Sequence, residues 1–93
     1  MPAPDLSDRA RDFIRKMQSK HAVQVLLKII ALCENPYPPD SKPIRGSREG
    51  YLRADSGEYR IVYCVEGDTL EVVAVGKRND DEVYRRLARR RPR

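Results

Sequence analysis

The chain has 93 residues, 40% hydrophobic and 35% charged, which is typical of one small globular domain and excludes a disordered or fibrous protein. It has no run of about 18 apolar residues and no apolar signal segment near Met1, so we expect no membrane span and a cytoplasmic location. The net charge of +5 is concentrated in residues 85–93, which hold six arginines and no acid. Such a segment favours a polyanion or an acidic protein as a partner, and a solvated helix end is an equal alternative.

The two cysteines, Cys33 and Cys64, lie far apart in the sequence, and no CxxC or Cys/His cluster is present. This usage indicates reduced, buried thiols rather than a disulfide framework or a zinc site. The single histidine, His21, lies in a helix-like segment and is typical of a surface position. The sequence therefore indicates neither a metal ion nor a cofactor.

Two segments with helical periodicity come first in the chain. Ser7 is placed as the N-cap of the first, and a short break at residues 18–20 separates it from the second, which ends at Asn35 before Pro36. Two adjacent amphipathic helices with so short a link predict an antiparallel helical hairpin. The apolar stripes are Ala10, Phe13, Ile14 and Met17 in the first segment, and Ala22, Val25, Leu26, Ile29, Ile30 and Cys33 in the second.

Residues 35–50 contain four prolines and two glycines, which predicts a loop with neither helix nor regular strand. A loop of this length in a small domain is often functional or mobile. The alternative of a plain connector between the helices and the sheet has equal weight.

From residue 51 the apolar residues recur every second position, which is typical of strands rather than helices. Residues 51–55 predict a short strand followed by a turn at 55–57, and residues 58–66 and 69–77 predict two longer strands around Gly67-Asp68. A regular ladder gives one apolar face that suits the helices. Its members are Tyr59, Ile61, Tyr63 and Val65 opposite Gly76, Ala74, Val72 and Leu70, while the other face has Arg60 beside Val75, Val62 beside Val73 and Cys64 beside Glu71.

The second, valine-bearing face of this sheet needs a cover, since a bare apolar patch is an interaction site or a liability. The segment that follows the last strand suits this role, because Asn79 and Glu82 form a capping-box-like start. Val83, Tyr84 and Leu87 then form a narrow apolar stripe. We therefore predict a C-terminal helix over the second face.

Arg60, Arg78 and Tyr84 are the chemically interesting residues on this side of the predicted sheet. An arginine inside a strand is expensive to bury unless an anion or an acid meets it. The alternative is structural: Arg60 pairs with an acid such as Glu58 or Glu71, and Tyr84 only packs.

Three stretches of the chain carry a resemblance to a known family: GEYRIVY, the turn VEGDTL, and above all VGKRNDDEVYRRL. They are similar to the RelE group of the RelE/ParE toxin superfamily, and the resemblance extends from about Ser7 to Leu87. It implies an α+β fold in which an N-terminal antiparallel helical hairpin packs on a small three- to four-stranded antiparallel sheet, with a C-terminal helix. The whole chain, residues 1–93, is then one toxin domain.

The function implied by the resemblance is a ribosome-dependent mRNA endoribonuclease that cuts in the ribosomal A site by metal-independent 2′-hydroxyl attack. A cognate antitoxin inhibits it, and the pair binds operator DNA only as a complex. The implied catalytic residues are Arg60, Arg78 and Tyr84. The expected RNA contacts are Arg45, Arg48, Arg53 and Lys77, and the expected antitoxin contacts are Val62, Val73, Val75 and Leu87.

The chain departs from the RelE pattern in two places. RelE has two lysines on the first strand of the main sheet, where this chain has Leu52-Arg53-Ala54, so Arg53 alone supplies a cation there. The family also begins with a strand, whereas Pro2 and Pro4 leave residues 1–6 with little β character, which favours a short or missing strand.

Two other functions remain open from the sequence. A ParE-like toxin would share the fold and act by binding DNA gyrase, although ParE-type chains generally lack the set Arg60, Arg78 and Tyr84. A catalytically silent member would bind its antitoxin and operator DNA without cutting RNA. Truncated mRNA would distinguish the nuclease from both alternatives.

Overall fold

A computed structural model of the chain describes residues 3–44 and 50–78. These residues form two helices and a five-stranded sheet in the order β1-β5-β4-β3-β2, with β1 parallel to β5 and the other pairs antiparallel. The expected α+β class is confirmed, but the expectation of a three- to four-stranded antiparallel sheet is wrong. The elements are β1 (Ala3–Leu6), α1 (Asp8–Arg15), α2 (Ser19–Glu34), β2 (Lys42–Pro43), β3 (Leu52–Ser56), β4 (Tyr59–Glu66) and β5 (Thr69–Lys77).

The N-terminal strand forms in spite of Pro4 because β1 is an edge strand. The backbone N–H groups of Ala3 and Ser7 donate to the carbonyls of Asp68 and Val72, at 2.8 and 2.9 Å. Donors that face β5 therefore occupy odd-numbered positions, and the nitrogen of Pro4 lies on the outer side, where no ladder hydrogen bond is lost.

The first helix begins as predicted, at Ser7, whose side chain accepts a hydrogen bond from the backbone N–H of Ala10. The second begins after Gln18 and ends at Asn35. The helices follow each other closely, but each packs more on the sheet than on the other: α1 lies mainly along β5, and α2 contacts β1, β3 and β4. Neither helix is long and apolar enough to cross a membrane, among the residues that the structure describes.

The apolar stripe of α2 is narrower than the sequence predicted. Val25, Ile29 and Cys33 are buried, together with Leu32, which lay outside the predicted stripe. Leu26 and Ile30 are exposed, and with Val23 and Leu27 they form an apolar solvent-facing surface. An α-helix resting on a sheet buries one side only, so a sequence that is apolar on two sides leaves one of them outside.

The main core lies between the helices and one face of the sheet, where Ile61, Tyr63, Leu70 and Val72 are fully buried. Burial also raises the pKa of the Cys33 thiol. The loop after α2 is tied to this core, since the Tyr63 hydroxyl donates to the Pro36 carbonyl at 2.6 Å.

The segment 35–50 is not all loop, because Lys42 and Pro43 form β2 at the sheet edge, where a proline is tolerated. The Lys28 ammonium also holds this segment by bonding Asp40 at 3.0 Å, and this hydrogen bond lowers the pKa of the Asp40 carboxyl.

The β4–β5 pairing contains an irregularity that the sequence did not reveal. Near the turn the predicted register is confirmed, with Glu66 opposite Thr69 and Tyr63 opposite Val72. Beyond it the register shifts, so that Val62 pairs with Ala74 and Val73 is an extra residue. Such a β-bulge increases local twist and re-aims every side chain beyond it.

Candidate active site

The bulge at Val73 brings Arg60 and Arg78 to the same face of the sheet. Arg60 pairs with Gly76. A regular ladder predicts Val75 as its partner instead. Because side chains alternate along a strand, Gly76 and the residue two positions on, Arg78, follow the face of Arg60. The backbone N–H of Arg78 donates to the Glu58 carbonyl at 2.9 Å, which fixes its position just past the end of β5.

A single carboxylate connects the two arginines. Asp55 on β3 pairs directly with Arg60 on β4, and its Oδ1 accepts from Arg60 Nε at 2.9 Å. Its Oδ2 lies 3.4 Å from Arg78 Nε. Arg60 therefore meets an acid, but the predicted partners Glu58 and Glu71 are not the ones it meets here.

A cavity of about 460 Å³ opens beside this cluster and is lined by Glu58, Arg60, Lys77 and Arg78. Lys77 was expected to contact RNA, and the structure places it with both candidate catalytic arginines. Three cations and the two carboxylates of Asp55 and Glu58 leave the site with a net positive charge. Such a site attracts a phosphate group, and arginine is suited to hold it through two parallel hydrogen bonds.

Further basic side chains continue across the same face toward the sheet edge. Arg53 on β3 pairs with Val62, and Lys42 on β2 pairs with Arg53, so both share the face of Arg60. Arg53, the expected RNA contact on β3, therefore lies on the same face as both Asp55 and Arg60. The other expected RNA contacts, Arg45 and Arg48, lie outside the described residues, as does the candidate catalytic Tyr84.

The expected antitoxin-contacting valines do not form one group. Val62 and Val73 are buried together with Ala74 on the face of Arg60, and Ile44 and Tyr51 pack against them. Val75 belongs instead to the helix-side core, so its expected place on the second face is wrong. The bulge is the reason, because it exchanges the faces of Ala74 and Val75. Leu87 and the predicted C-terminal helix lie outside the described residues.

The ring of Tyr59, the neighbour of Arg60 in β4, belongs to the opposite face of the sheet. Tyr59 packs toward the helices, with its ring centroid 6.1 Å from that of Phe13 and 5.5 Å from that of His21. His21 is therefore separated from the arginines by the sheet. Within the described residues no three His, Cys, Asp or Glu side chains cluster as metal ligands.

Asp55 is the site residue that sequence reasoning missed. The turn had been placed at residues 55–57, whereas the β3–β4 turn is Gly57-Glu58, with Ser56 opposite Tyr59. Gly57 has a φ of +59°, which glycine adopts readily in two-residue hairpin turns. A two-residue turn that begins at this glycine places Asp55 directly opposite Arg60, so the signal was present.

Comparison with known proteins identifies the family of the chain. The family model described as "ParE toxin of type II toxin-antitoxin system, parDE" matches residues 5–82. The mRNA interferase toxin RelE of Escherichia coli K12 is 34% identical over 92% of this chain and 93% of its own length.

Two solved structures are also similar. A free E. coli RelE toxin with two arginines replaced by alanine has a TM-score of 0.73 and 29% identity, covering 94% of each chain. The intact E. coli RelBE toxin–antitoxin complex has a TM-score of 0.59 and 26% identity, covering 86% of this chain and 100% of that one. The resemblance seen in the sequence is thereby confirmed, and the chain belongs to the RelE/ParE superfamily of type II toxin–antitoxin toxins, as a RelE-type member.

Proposed function

We propose that this protein is a ribosome-dependent endoribonuclease that cuts mRNA in the ribosomal A site and is held inactive by a cognate antitoxin. The observation that carries the proposal is the joining of Arg60 and Arg78 on one carboxylate, beside a positive cavity, in a relative of mRNA interferase toxins. The proposal places the protein in the cytoplasm, where its substrate is translated.

The proposed reaction uses the RNA's own 2′-hydroxyl as the nucleophile. Its oxygen attacks the adjacent phosphorus, the bond to the 5′-oxygen breaks, and the products are a 2′,3′-cyclic phosphate and a 5′-hydroxyl. Negative charge increases on the phosphate oxygens during this step, and preorganised cations that meet it lower the barrier. Arg60 and Arg78 take this role, because a guanidinium stays protonated and binds phosphate through a planar pair of donors.

A base must take the 2′ proton and an acid must protonate the leaving oxygen. Arginine is a poor base near neutral pH because its guanidinium already holds its proton there. We assign the base to Tyr84 from the RelE-like motif, and neighbouring arginines would favour its phenolate form. Arg78 is assigned as the donor to the leaving oxygen. Arg45, Arg48, Arg53 and Lys77 are assigned to RNA phosphates.

Primer extension on an mRNA in a purified translation system tests the nuclease. Wild-type protein should produce cuts within A-site codons only when ribosomes are present. Arg78→Ala should lower the cleavage rate by about 10²–10³-fold, the usual cost of removing one group that stabilises transition-state charge. Tyr84→Phe should abolish the cuts, because it removes the proposed base. Arg11→Ala is the matched control, since Arg11 is an exposed arginine of α1, and it should cut like wild type.

Intact mRNA with folded wild-type protein would contradict the nuclease proposal. The family model's ParE name makes gyrase binding the alternative to examine next, by measuring DNA supercoiling with the same preparation. Absence of toxicity, mRNA cleavage and gyrase inhibition together would indicate a silent member that binds its antitoxin and, with it, operator DNA.

The antitoxin is proposed to cover the arginine-bearing face of the sheet, where the cluster of Val62, Val73 and Ala74 lies. RelE relatives are solved with RelB-type antitoxins, which supports a partner of this class. An acidic segment of the antitoxin would neutralise Arg60 and Arg78 while its apolar side chains meet Ile44 and Tyr51 at the rim of the cluster.

Affinity measurements with the cognate antitoxin test this placement. Val62 is fully buried, so its replacement would disturb folding, and the partly buried Ile44 is the better probe. Ile44→Asp should weaken binding at least tenfold, because a carboxylate would be buried without a partner. Leu27→Asp, on the exposed surface of α2, is the control and should bind normally. The opposite pattern would move the antitoxin to the helical side.

A further inference from the structure

Asp55 makes two contacts that the proposed chemistry does not require of it. One oxygen accepts from Arg60 Nε at 2.9 Å and the other lies 3.4 Å from Arg78 Nε. The Arg60 side chain is only 15% exposed, whereas that of Arg78 is 54% exposed and follows the end of its strand. The carboxylate therefore ties a side chain seated on the sheet to a more exposed one, whose Nη1 also lies 3.5 Å from the Gly57 carbonyl oxygen.

The edge used by each arginine is informative. A guanidinium has five N–H donors in a rigid planar fork, with the Nε edge distinct from the Nη1–Nη2 edge. Asp55 contacts both arginines at Nε, which orients each fork without occupying all of its donors. A competitor for substrate would be expected to hold the outer Nη edge, where a phosphate also binds.

The strand pairing makes Asp55 a rigid support. It lies directly opposite Arg60 in the β3–β4 ladder, one residue before the Ser56–Tyr59 pair that closes the hairpin. A group placed on a strand is held more accurately than one on a loop. Two like charges close together repel, and the carboxylate between Arg60 and Arg78 offsets part of this repulsion.

We propose that Asp55 is a positioning residue that holds Arg60 and Arg78 together as one phosphate-binding unit. It touches neither substrate nor reacting atoms, and it acts through the two arginines. The inference rests on the proposed function for its effect on catalysis, whereas the arginine geometry itself is independent of any substrate. The rival role is a built-in competitor that the substrate phosphate must displace.

The test compares Asp55→Asn with Glu58→Gln. Both changes remove one negative charge beside the arginines, but the side chain of Glu58 pairs with neither of them among the described residues. Single-turnover cleavage of ribosome-bound mRNA is measured over a range of toxin concentrations, which separates the maximal rate from the half-saturating concentration. The side-chain Nε–Hε signals of Arg60 and Arg78 are followed in parallel by NMR, without RNA.

The positioning role predicts a split result. Asp55→Asn should lower the maximal rate by about 10–100-fold, since small misplacement of a catalytic group costs this much. Its half-saturating concentration should not rise, because the site becomes more positive. Glu58→Gln should lower the maximal rate far less than Asp55→Asn, because its carboxylate holds neither arginine, and Asp55→Glu should recover part of the loss. The Nε–Hε signals of both arginines should move in Asp55→Asn and stay in Glu58→Gln.

Two results would overturn the inference. Equal or faster cleavage by Asp55→Asn would show a competitor rather than a support, and unmoved Nε–Hε signals would show that the carboxylate does not hold the arginines. If wild-type protein cuts no mRNA while both signals still depend on Asp55, the nuclease proposal fails and the arginine-pairing part of the inference stands. Backbone NMR spectra of each variant exclude unfolding as the cause.

Discussion

The acid that pairs with Arg60 depends on where the β3–β4 turn lies. The cost of burying a charge predicted that an anion or an acid would meet Arg60, and an acid does so. The identity of the acid was wrong because the β3–β4 turn was placed two residues early, which left Asp55 in the turn instead of on the strand. The need of Arg60 for an acidic or anionic partner could be predicted from its chemistry. Identifying Asp55 as that partner required the β3–β4 register.

Tyr63 gives a prediction at this scale. Its ring is fully buried and its hydroxyl donates to the Pro36 carbonyl, which connects β4 to the loop after α2. Tyr63→Phe should lower the free energy of unfolding by about 1–2 kcal/mol, because the carbonyl loses its donor. Urea denaturation measures this, with Tyr37→Phe as the control, since Tyr37 is 64% exposed and should change little.

The same variant has a pH signature. Burial raises the pKa of Tyr63, so the folded state resists ionisation that the unfolded state allows above about pH 10. The stability that Tyr63 contributes is present below that pH and decreases as the pH rises through it. The difference between wild type and Tyr63→Phe should therefore shrink between pH 9 and about pH 11. A constant difference would mean that the hydroxyl is not shielded.

The β-bulge in β5 is the element-scale feature that decides the site. Alternation of apolar residues predicted the limits of β5, those of β4 to within one residue, and the register near their turn. A ladder assumed to be regular gave the wrong face to Val75. Nothing in the run of small and branched residues 72–76 distinguishes a bulge from a regular strand. The structure shows that without this one extra residue Arg78 would follow the face opposite to Arg60.

Ser7 connects this bulge to α1 and can be tested. Its hydroxyl oxygen accepts from the Ala10 N–H at 3.1 Å and donates to the carbonyl of the bulged Val73 at 3.0 Å. Ser7→Ala removes both bonds and should cost about 2 kcal/mol, of which about 1 belongs to the cap. Ser7→Asp keeps the cap acceptor but cannot donate, so it should lose only the Val73 contribution or slightly more.

Thermal and urea unfolding of the two Ser7 variants measure these costs. The cleavage assay adds a second readout, because a change in the bulge at Val73 would shift the position of the Arg78 side chain. If Ser7→Asp unfolds like Ser7→Ala, the cap contributes nothing beyond the bond to Val73. If it unfolds like wild type, the bulge is held by other contacts.

At the scale of the whole molecule, the class and the order of the two helices and of strands β3, β4 and β5 could be predicted, whereas β1, β2 and the sheet topology could not. The parallel β1–β5 pair joins segments near the two ends of the described chain. No local sequence pattern predicts a contact between segments so far apart in the sequence. Prolines argued against the strand, yet tertiary pairing at an edge tolerates Pro4. The buried stripe of α2 was likewise predicted to be wider than it is, because α2 is apolar on two sides and the sheet covers only one of them.

The distribution of charge gives the last prediction, at the scale of the whole molecule. Affinity for an RNA surface falls with salt in proportion to the phosphates contacted, with a log–log slope of about −0.7 per contact for single strands. If the arginine-rich end contacts ribosomal RNA, replacing Arg89, Arg90 and Arg91 by Gln should flatten the slope by about 2. Binding to purified ribosomes between about 50 and 200 mM salt measures it.

A second variant that loses the same number of positive charges elsewhere tests whether the location of the charges matters, or only the net charge. Arg9, Arg11 and Lys20 are exposed on the helical side, and replacing them by Gln also removes three positive charges. This variant should keep the wild-type slope, because its residues lie on the helices, away from the arginine-bearing face of the sheet. Equal flattening by both variants would mean that only net charge matters, and no change in either would show that the C-terminal arginines do not contact the ribosome. The predicted difference requires one basic surface, formed by that face and the C-terminal arginines, to meet the RNA.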